Sequence, residues 1–384
     1  MSKHRCVSTG SLVVGALAAI AAAQPVPAGM PRYTAIDLGM SEGTASAFIV
    51  SVGINNRNQV LGQVFGSAGS EAVIRTEAGN NFRYHSPDPI NRSITPTAID
   101  DAGNVTGYYT PSLVNQPFYI PAGTPSLTTF NDIPGPFPGT SGNAQRYDYA
   151  NAISNEGRHI VGTGGNTNSN LMGWISSNGG PVTTLPSDGY RNVTPTGVSS
   201  SGAIVGQGHD GMWRALRWEN ASSQPIALAD LGGGLAQARA LNDRGYTVGQ
   251  SYIPNASSIN HAVIWDAAGN ATDIHTASGF TFGTSVAIDI NSSNWTIATG
   301  GQRFLYIPGI GGATMTNLIT SYGTMASLGG ITGINDMGYI SAHGVDSVGR
   351  SHLYLLVPDH PAPSPGALSV LGIAGLVAAR RRRA

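Results

Sequence analysis

The sequence predicts an all-β fold: a seven-bladed β-propeller of four-stranded repeats, closed by its N-terminal strand, with short apolar helices at both termini. Three observations predict it. One motif recurs seven times, at spacings of 45, 54, 45, 43, 49 and 44 residues. Each copy carries strand-like segments enough for a four-stranded blade of the usual repeat length. Glycine and proline number 52 and 23 among 384 residues. Long helices do not tolerate that density, since each costs about 1 and 3 kcal/mol in a helix interior.

The motif centres on an aliphatic anchor: Ile54, Ile99, Ile153, Val198, Leu241, Ile290 and Ile334. A small residue precedes it in six units, which suits a strand in a crowded place; Asp289 breaks that rule in the sixth unit. Two Asn, Asp or Ser residues follow the anchor, types that open turns by bonding their own backbone. Four positions past the anchor stand Asn58, Gly103, Gly157, Gly202, Gly245, Asn294 and Gly338. A type I turn closed by a G1 bulge needs positive φ there, and only Gly and Asn visit that region cheaply. A short apolar stretch then ends at Gly or Ala, as at Gly62, Gly107, Gly206 and Gly249.

A third, aromatic-rich strand follows about 12 residues later, for example Phe118-Tyr119-Ile120, Ala262-Val263-Ile264-Trp265 and Phe304-Leu305-Tyr306. A weaker fourth strand ends six units, as at Phe82-Arg83-Tyr84, Leu127 to Phe130, Ala271 to Ile274 and Met315 to Leu318. The seventh unit stops at Val357 without one. Its missing strand is Tyr33 to Leu38, at the start of the chain. A displaced strand of this kind closes a ring and leaves only short, protected edges. An open β-solenoid is the alternative, but it would need a cap at each end.

Units such as Ala240 to Gln250 followed by His261-Ala262-Val263-Ile264-Trp265 resemble the HAF repeat of bacterial extracellular proteins. His261 and His352 occupy the His place of that repeat, and the other units lack it. Asp37-Leu38-Gly39 and Asp230-Leu231-Gly232 resemble its Asp-Leu-Gly strand. The resemblance spans residues 32–358 and implies an extracellular repeat architecture; it implies no particular chemistry.

Both ends read as addresses. Residues 1–23 form a secretory signal peptide: Lys3, His4 and Arg5, an apolar run from Leu12 to Ala22, and a small-residue cleavage site at Ala21 and Ala23 before Gln24. Cys6, the single cysteine, would leave with it. Residues 359–384 join a Pro-rich segment (Pro361, Pro363, Pro365, Gly366), an apolar stretch from Ala367 to Ala379, and Arg380, Arg381, Arg382 and Arg383. This layout resembles the PEP-CTERM sorting tail of Gram-negative bacteria, although Ala362 stands where that family prefers Glu. It implies an exosortase-type processing enzyme as partner and membrane contact through the tail only. Thirteen apolar residues are short for a permanent span of about 20. A simple retained tail is the alternative. Without the signal peptide and the closing Arg cluster the chain keeps 14 basic against 21 acidic residues, which disfavours nucleic acid and anionic membrane surfaces.

Little in the sequence points to catalysis, a cofactor or a metal. Asp101-Ala102-Gly103-Asn104 and its relatives lack the spaced carboxylates and closing Glu of a Ca²⁺ loop. His209-Asp210, with Glu219 downstream, has no Gly-x-Ser-x-Gly elbow or His-Glu-x-x-His helix beside it. His261 and His352 suit hydrogen bonding within the repeat. The widest spacing, 54 residues, admits an insertion from Pro134 to Asn151. There Arg146, Tyr147, Asp148 and Tyr149 form a candidate ligand loop, since Tyr stacks on sugars and Arg and Asp bond hydroxyls. The expected function is a non-catalytic binding or scaffold module at the cell surface or in an extracellular matrix, with a polysaccharide or protein ligand. A glycan-acting propeller enzyme (lyase or hydrolase) and a purely structural envelope protein are the alternatives.

Overall fold

A computed structural model of the protein describes residues 25–40, 47–67, 69–86, 93–111, 115–124, 131–134, 148–165, 171–256, 258–281 and 283–363. The signal peptide and the apolar and Arg-rich parts of the tail, with the terminal helices expected there, lie outside the described residues. Among the described residues no helix is long and apolar enough to cross a membrane.

The chain is a seven-bladed propeller of antiparallel sheets. The innermost strands, blades 1 to 7, are Phe48–Ile54, Ile94–Ile99, Tyr149–Ile153, Arg191–Val198, Ala236–Leu241, Ser285–Ile290 and Met325–Ile334. Each ends at its anchor residue and turns into the second strand. Blade 7 is completed by Tyr33–Met40, which pairs antiparallel with Ser351–Pro358 from Tyr33↔Pro358 to Met40↔His352. The N-terminal strand therefore closes the ring, and a solenoid is excluded. A further short strand, Ile319–Ser321, lies parallel against it on the outside.

Three fourth strands differ from expectation. In blade 6 the strand is Gly311–Thr314, and Met315–Leu318 is a single helical turn. Met315 and Leu318 are both fully buried, and a spacing of three puts two side chains on one side of a turn but on opposite faces of a strand. In blade 5 the strand stops at Asp273, whose side chain accepts the Thr276 N–H and caps the helical turn Ile274–Ala277. In blade 2 the described pairing is Asn131–Asp132 with Tyr119 and Phe118, while 127–130 lie outside the described residues.

The core consists of seven apolar clusters rather than one, each centred on the seam between two blades. Ile49, Val60, Val64 and Val73 of blade 1 meet Leu353 and Leu355 of blade 7, all at most 3% exposed. This seam joins the last blade to the first. Full burial of such side chains is worth roughly 1.5–3 kcal/mol each. Trp174, Trp218 and Trp265 of the third strands are fully buried. Trp218 and Trp265 place their indole N–H on the carbonyls of Pro186 and Ala229.

Crowding explains the small residues. A Cβ at Gly249 would lie 2.1 Å from the Gln237 carbonyl, one at Gly206 2.3 Å from that of Thr194, and one at Gly107 2.2 Å from that of Thr95. Before the anchor, a Cβ at Gly333 would lie 3.0 Å from the Ile54 nitrogen of the next blade. Asp289 fits this place by bonding: its carboxylate accepts the N–H of Ile334 in blade 7 (2.8 Å) and of Ile290 (2.9 Å).

Candidate functional site

The ring presents two faces and an axial channel. On the turn face stand the seven hairpins. Asn58, Gly103, Gly157, Gly202, Gly245, Asn294 and Gly338 all adopt positive φ, between 58° and 94°. The turn residues also bind across the seams. Asn55 donates to the Asp100 carbonyl (2.8 Å), Asn242 to that of Asn291 (2.8 Å), Asn291 to that of Asn335 (3.0 Å) and Asn335 to that of Asn55 (3.1 Å). One position on, Asp101, Asp243 and Asp336 accept the backbone N–H of Asn56, Ser200 and Ser292 in the preceding blade. The Asp336 N–H in turn donates to Asn56 Oδ1. The oxygens that superficially suggested Ca²⁺ loops are thus engaged in turn and seam bonds. Among the described residues no group of three His, Cys, Asp or Glu could hold a metal ion.

The axial channel has a volume of about 330 Å³ and is lined by all seven innermost strands. Each of these strands carries a register shift two residues before its anchor. A β-bulge leaves its extra residue out of the ladder and re-aims its side chain. The bulged residues are Val52 and Ile288, which are apolar, the polar Thr97, Asn151, Thr196 and Thr332, and Arg239. Thr97, Asn151 and Thr196 donate to the carbonyls of Ala150, Pro195 and Ala238 in the next blade. Thr332 donates to Ser51 Oγ of blade 1 (2.8 Å). Asp289 keeps some accessible area toward the channel, yet it sits deep in the ring, and desolvation pushes its carboxyl up to about 7.

The opposite, loop face holds the turns between second and third strands and the starts of the innermost strands. In blade 1 Phe48 stacks on Phe65 (ring centroids 4.6 Å, planes at 13°) and is 50% exposed. In blade 4 His209 lies edge-on to Trp213 (5.3 Å), with Met212 exposed between them in the chain. In blade 7 Val345 and Val348 are exposed.

Of the candidate ligand loop, Arg146 and Tyr147 lie outside the described residues. Asp148 is buried, and Tyr149 opens the innermost strand of blade 3, edge-on against Tyr108 at 4.8 Å. Tyr149 thus belongs to the blade 2–3 seam rather than to a projecting loop. His209-Asp210 and Glu219 are not brought together. Asp210 pairs with Arg214 on the loop face, and Glu219 pairs with Arg217 beyond the far end of strand Trp213–Trp218.

The His place of the repeat has a definite task. Glu71, Arg214, His261 and His352 each directly precede the buried centre of a third strand and pair outward within their own blade. Their partners are Arg83 (2.7 Å), Asp230 (3.7 Å), Asp273 (2.8 Å) and Asp37 (2.9 Å). Burial pushes the Asp37 carboxyl up, but hydrogen bonds from Thr324, His352 and the Gly39 N–H outweigh it and hold it below its ordinary value.

Sequence reading missed three serine–histidine contacts: Ser177 Oγ with His159 Nδ1 (2.9 Å), Ser285 Oγ with His275 Nδ1 (2.8 Å), and one at the seam that closes the ring. Ser51 Oγ lies 3.0 Å from His343 Nδ1, which also accepts the Ser51 N–H (3.2 Å). Burial, and then the Arg303 cation, hold His343 below its ordinary value. Ser51 is only 4% exposed and receives the Thr332 hydroxyl. The pair joins blades 7 and 1 and offers no open nucleophile.

After Pro358 the chain lies on the turn face. The Ala362 N–H donates to the Met337 carbonyl (3.0 Å), Ser293 Oγ donates to the Pro363 carbonyl, and His360 meets Trp295 edge-on. Pro361 and Pro363 are exposed there; Pro365, Gly366 and Arg380 to Arg383 lie outside the described residues.

No family profile matches the chain, and no characterised protein matches it in sequence. Solved structures do match in shape. A catalytically inactive variant of virginiamycin B lyase from Staphylococcus aureus, crystallised with quinupristin, superposes with a TM-score of 0.50 at 11% identity, over 85% of this chain and 100% of that one. Puromycin hydrolase gives 0.50 at 11% identity, over 86% of this chain and 57% of that one. TolB from Acinetobacter baumannii gives 0.43 at 15% identity, over 83% of this chain and 65% of that one. The chain thus spans less than two thirds of the latter two. At such identities the likeness is one of fold, and a fold shared by enzymes and other proteins does not fix a function.

Proposed function

We propose that the protein is an exported, envelope-associated binding module without catalytic activity, whose loop face engages a polysaccharide or protein partner. The observation that carries this reading is the asymmetry of the two faces. The Asn and Asp side chains of the turn face bond their own turns and the neighbouring blades, and the chain leaves toward its sorting-tail sequence from Pro363 on that face. A tail that is held or processed at a membrane then directs the loop face outward. There the exposed Phe48 and Met212, with the half-buried rings beside them, supply contact chemistry of the kind enriched at binding sites. Processing by an exosortase-type enzyme accounts for the Pro-rich segment, short apolar stretch and Arg cluster together.

The test is to incubate the full chain with a panel of bacterial polysaccharides and to read both capture and polymer length. Capture with polymer length unchanged is expected. Shortened polymer would overturn the non-catalytic reading and favour a lyase or hydrolase. The mass of protein recovered from its native envelope is expected to end near Pro365; a mass retaining the Arg cluster would replace sorting by simple tethering.

A further inference from the structure

In a repeat protein, a position that abandons the task its equivalents perform is where a function separate from folding can sit. The bulged position of the innermost strands is such a place. Thr97, Asn151, Thr196 and Thr332 use it to bond the neighbouring blade. Arg239, the bulged residue of blade 5, makes no hydrogen bond or ion pair with any described residue, although the equivalent carbonyl, that of Ala287, is present. Arg239 is solvent-accessible and lines the axial channel, yet enough protein surrounds it that desolvation lowers its pKa. A guanidinium placed in that way is a cation without a protein partner among the described residues, facing a small solvent-accessible chamber.

We infer that the axial channel binds one sugar-acid residue, its carboxylate paired with Arg239. Four features select that ligand. A guanidinium recognises a carboxylate through two parallel N–H···O bonds. The chamber's volume of about 330 Å³ lies at the low end of ligand pockets, which run from about 300 to 1,000 Å³, and suits one sugar ring. The bulged Thr hydroxyls donate their hydrogens to the neighbouring blade, which leaves their oxygens to accept from the hydroxyls of a sugar. The nearest acid on the adjacent strand, Asp289, has its two oxygens turned to the N–H groups of Ile290 and Ile334. Asp101, Asp243 and Asp336 line the turn-face end of the same chamber, each already accepting a backbone N–H of the preceding blade, and Arg239 is the only cationic side chain among its described lining residues. This inference rests on the binding-module reading and names the chemistry at its centre.

The experiment is titration calorimetry of the full chain with D-galacturonate, D-galactose and the galacturonate trimer, repeated with Arg239→Gln. The wild-type chain is expected to bind one galacturonate, with galactose weaker by about tenfold or more, as the loss of a charge-assisted hydrogen bond implies. Arg239→Gln is expected to lose the discrimination by a similar factor at an unchanged melting temperature, since Arg239 bonds nothing in the fold. Arg239→Lys should restore part of it. Binding of the trimer as tightly as the monomer would assign the site to a polymer end, and binding of the monomer alone to a free sugar acid. Equal binding of galacturonate and galactose, equal binding by wild type and Arg239→Gln, or no binding at all would overturn the inference. Polysaccharide capture that survives Arg239→Gln but not Phe48→Ala would sink this site while leaving the loop-face reading standing.

Discussion

Asn335 on the turn face is 3% exposed, and its side chain makes four hydrogen bonds: to the Asn55 carbonyl and Asn58 Oδ1 of the next blade, and from the N–H groups of Met337 and Tyr339 in its own turn. Phe48 on the loop face is half exposed and touches chiefly a second ring, Phe65. The same repeat builds both ends of the blade. At one end its polar groups are committed to each other and to the neighbouring blade, so sequence freedom is small and the seven copies look alike. At the other, the ladder has ended, few bonds constrain the side chains, and the copies diverge. Uniformity marks where the ring is held, and divergence marks where a partner can be met.

That contrast can be broken most severely inside the ring. Gly249→Ala places a Cβ 2.1 Å from a backbone carbonyl. It is expected to cost about 4 kcal/mol or more, enough to leave little folded protein. Gly349→Ala, on the loop face at a φ of +83° with nothing within 4 Å, is expected to cost only about 1–2 kcal/mol for its left-handed backbone. Urea unfolding of the pair checks both. Next comes Asn335→Ala, which strands buried donors and acceptors on two blades and is expected to cost about 3 kcal/mol. A loss below about 1 kcal/mol would mean that the seam bonds are not what closes the ring.

Asp289 sharpens the comparison through pH. Its folded value of about 7 lies above the unfolded carboxyl value. The folded chain therefore holds a proton that the unfolded chain releases. The resulting stability is fully present below about pH 4, is lost as pH rises toward 7, and changes little beyond. Asp289→Asn is expected to flatten that part of the melting-temperature profile. A wild-type profile rising from pH 4 to 7, with the variant parallel to it, would contradict the placement of this carboxyl. The smallest stability effects belong to the loop face: Phe48→Ala and Trp213→Ala are expected to cost no more than about 1–2 kcal/mol each, as partly exposed side chains, while removing partner capture.

Sequence periodicity carried the fold because each blade meets the same local demands. The hairpin needs positive φ at Asn58 and its six equivalents, and the second strand needs a small residue opposite a bulge. The displaced strand Tyr33–Met40 was legible for the same reason, as the one blade component out of order. Less legible was whatever depends on a neighbour some 45 residues away. The anchor turns read as Asn and Asp bonding their own backbone; the second bond, to the next blade, has no local signal. Met315–Leu318 reads as a strand by composition and becomes a helical turn because both apolar ends must face inward. The bulges that aim Thr97, Asn151, Thr196 and Arg239 leave only a faint trace. Set beside Val52, Thr97, Asn151, Thr196, Ile288 and Thr332, Arg239 is the one charged member of its position, as Asp289 is of the next. The aromatic insertion at Tyr147 and Tyr149 drew attention by its residue types, yet Tyr149 is spent on Tyr108 in a seam.

The most direct measurement compares capture of polysaccharide extracted from the native envelope by the full chain, by the loop-face double variant Phe48→Ala/Trp213→Ala, and by the turn-face variant Met337→Ala, whose side chain is also exposed. Melting temperatures recorded alongside keep folding defects separate from binding. Capture lost in the double variant and kept in Met337→Ala, with polymer length unchanged throughout, is the expected result. Capture lost in Met337→Ala and kept in the double variant, or polymer shortened by the wild-type chain, would contradict the assignment of binding to the loop face.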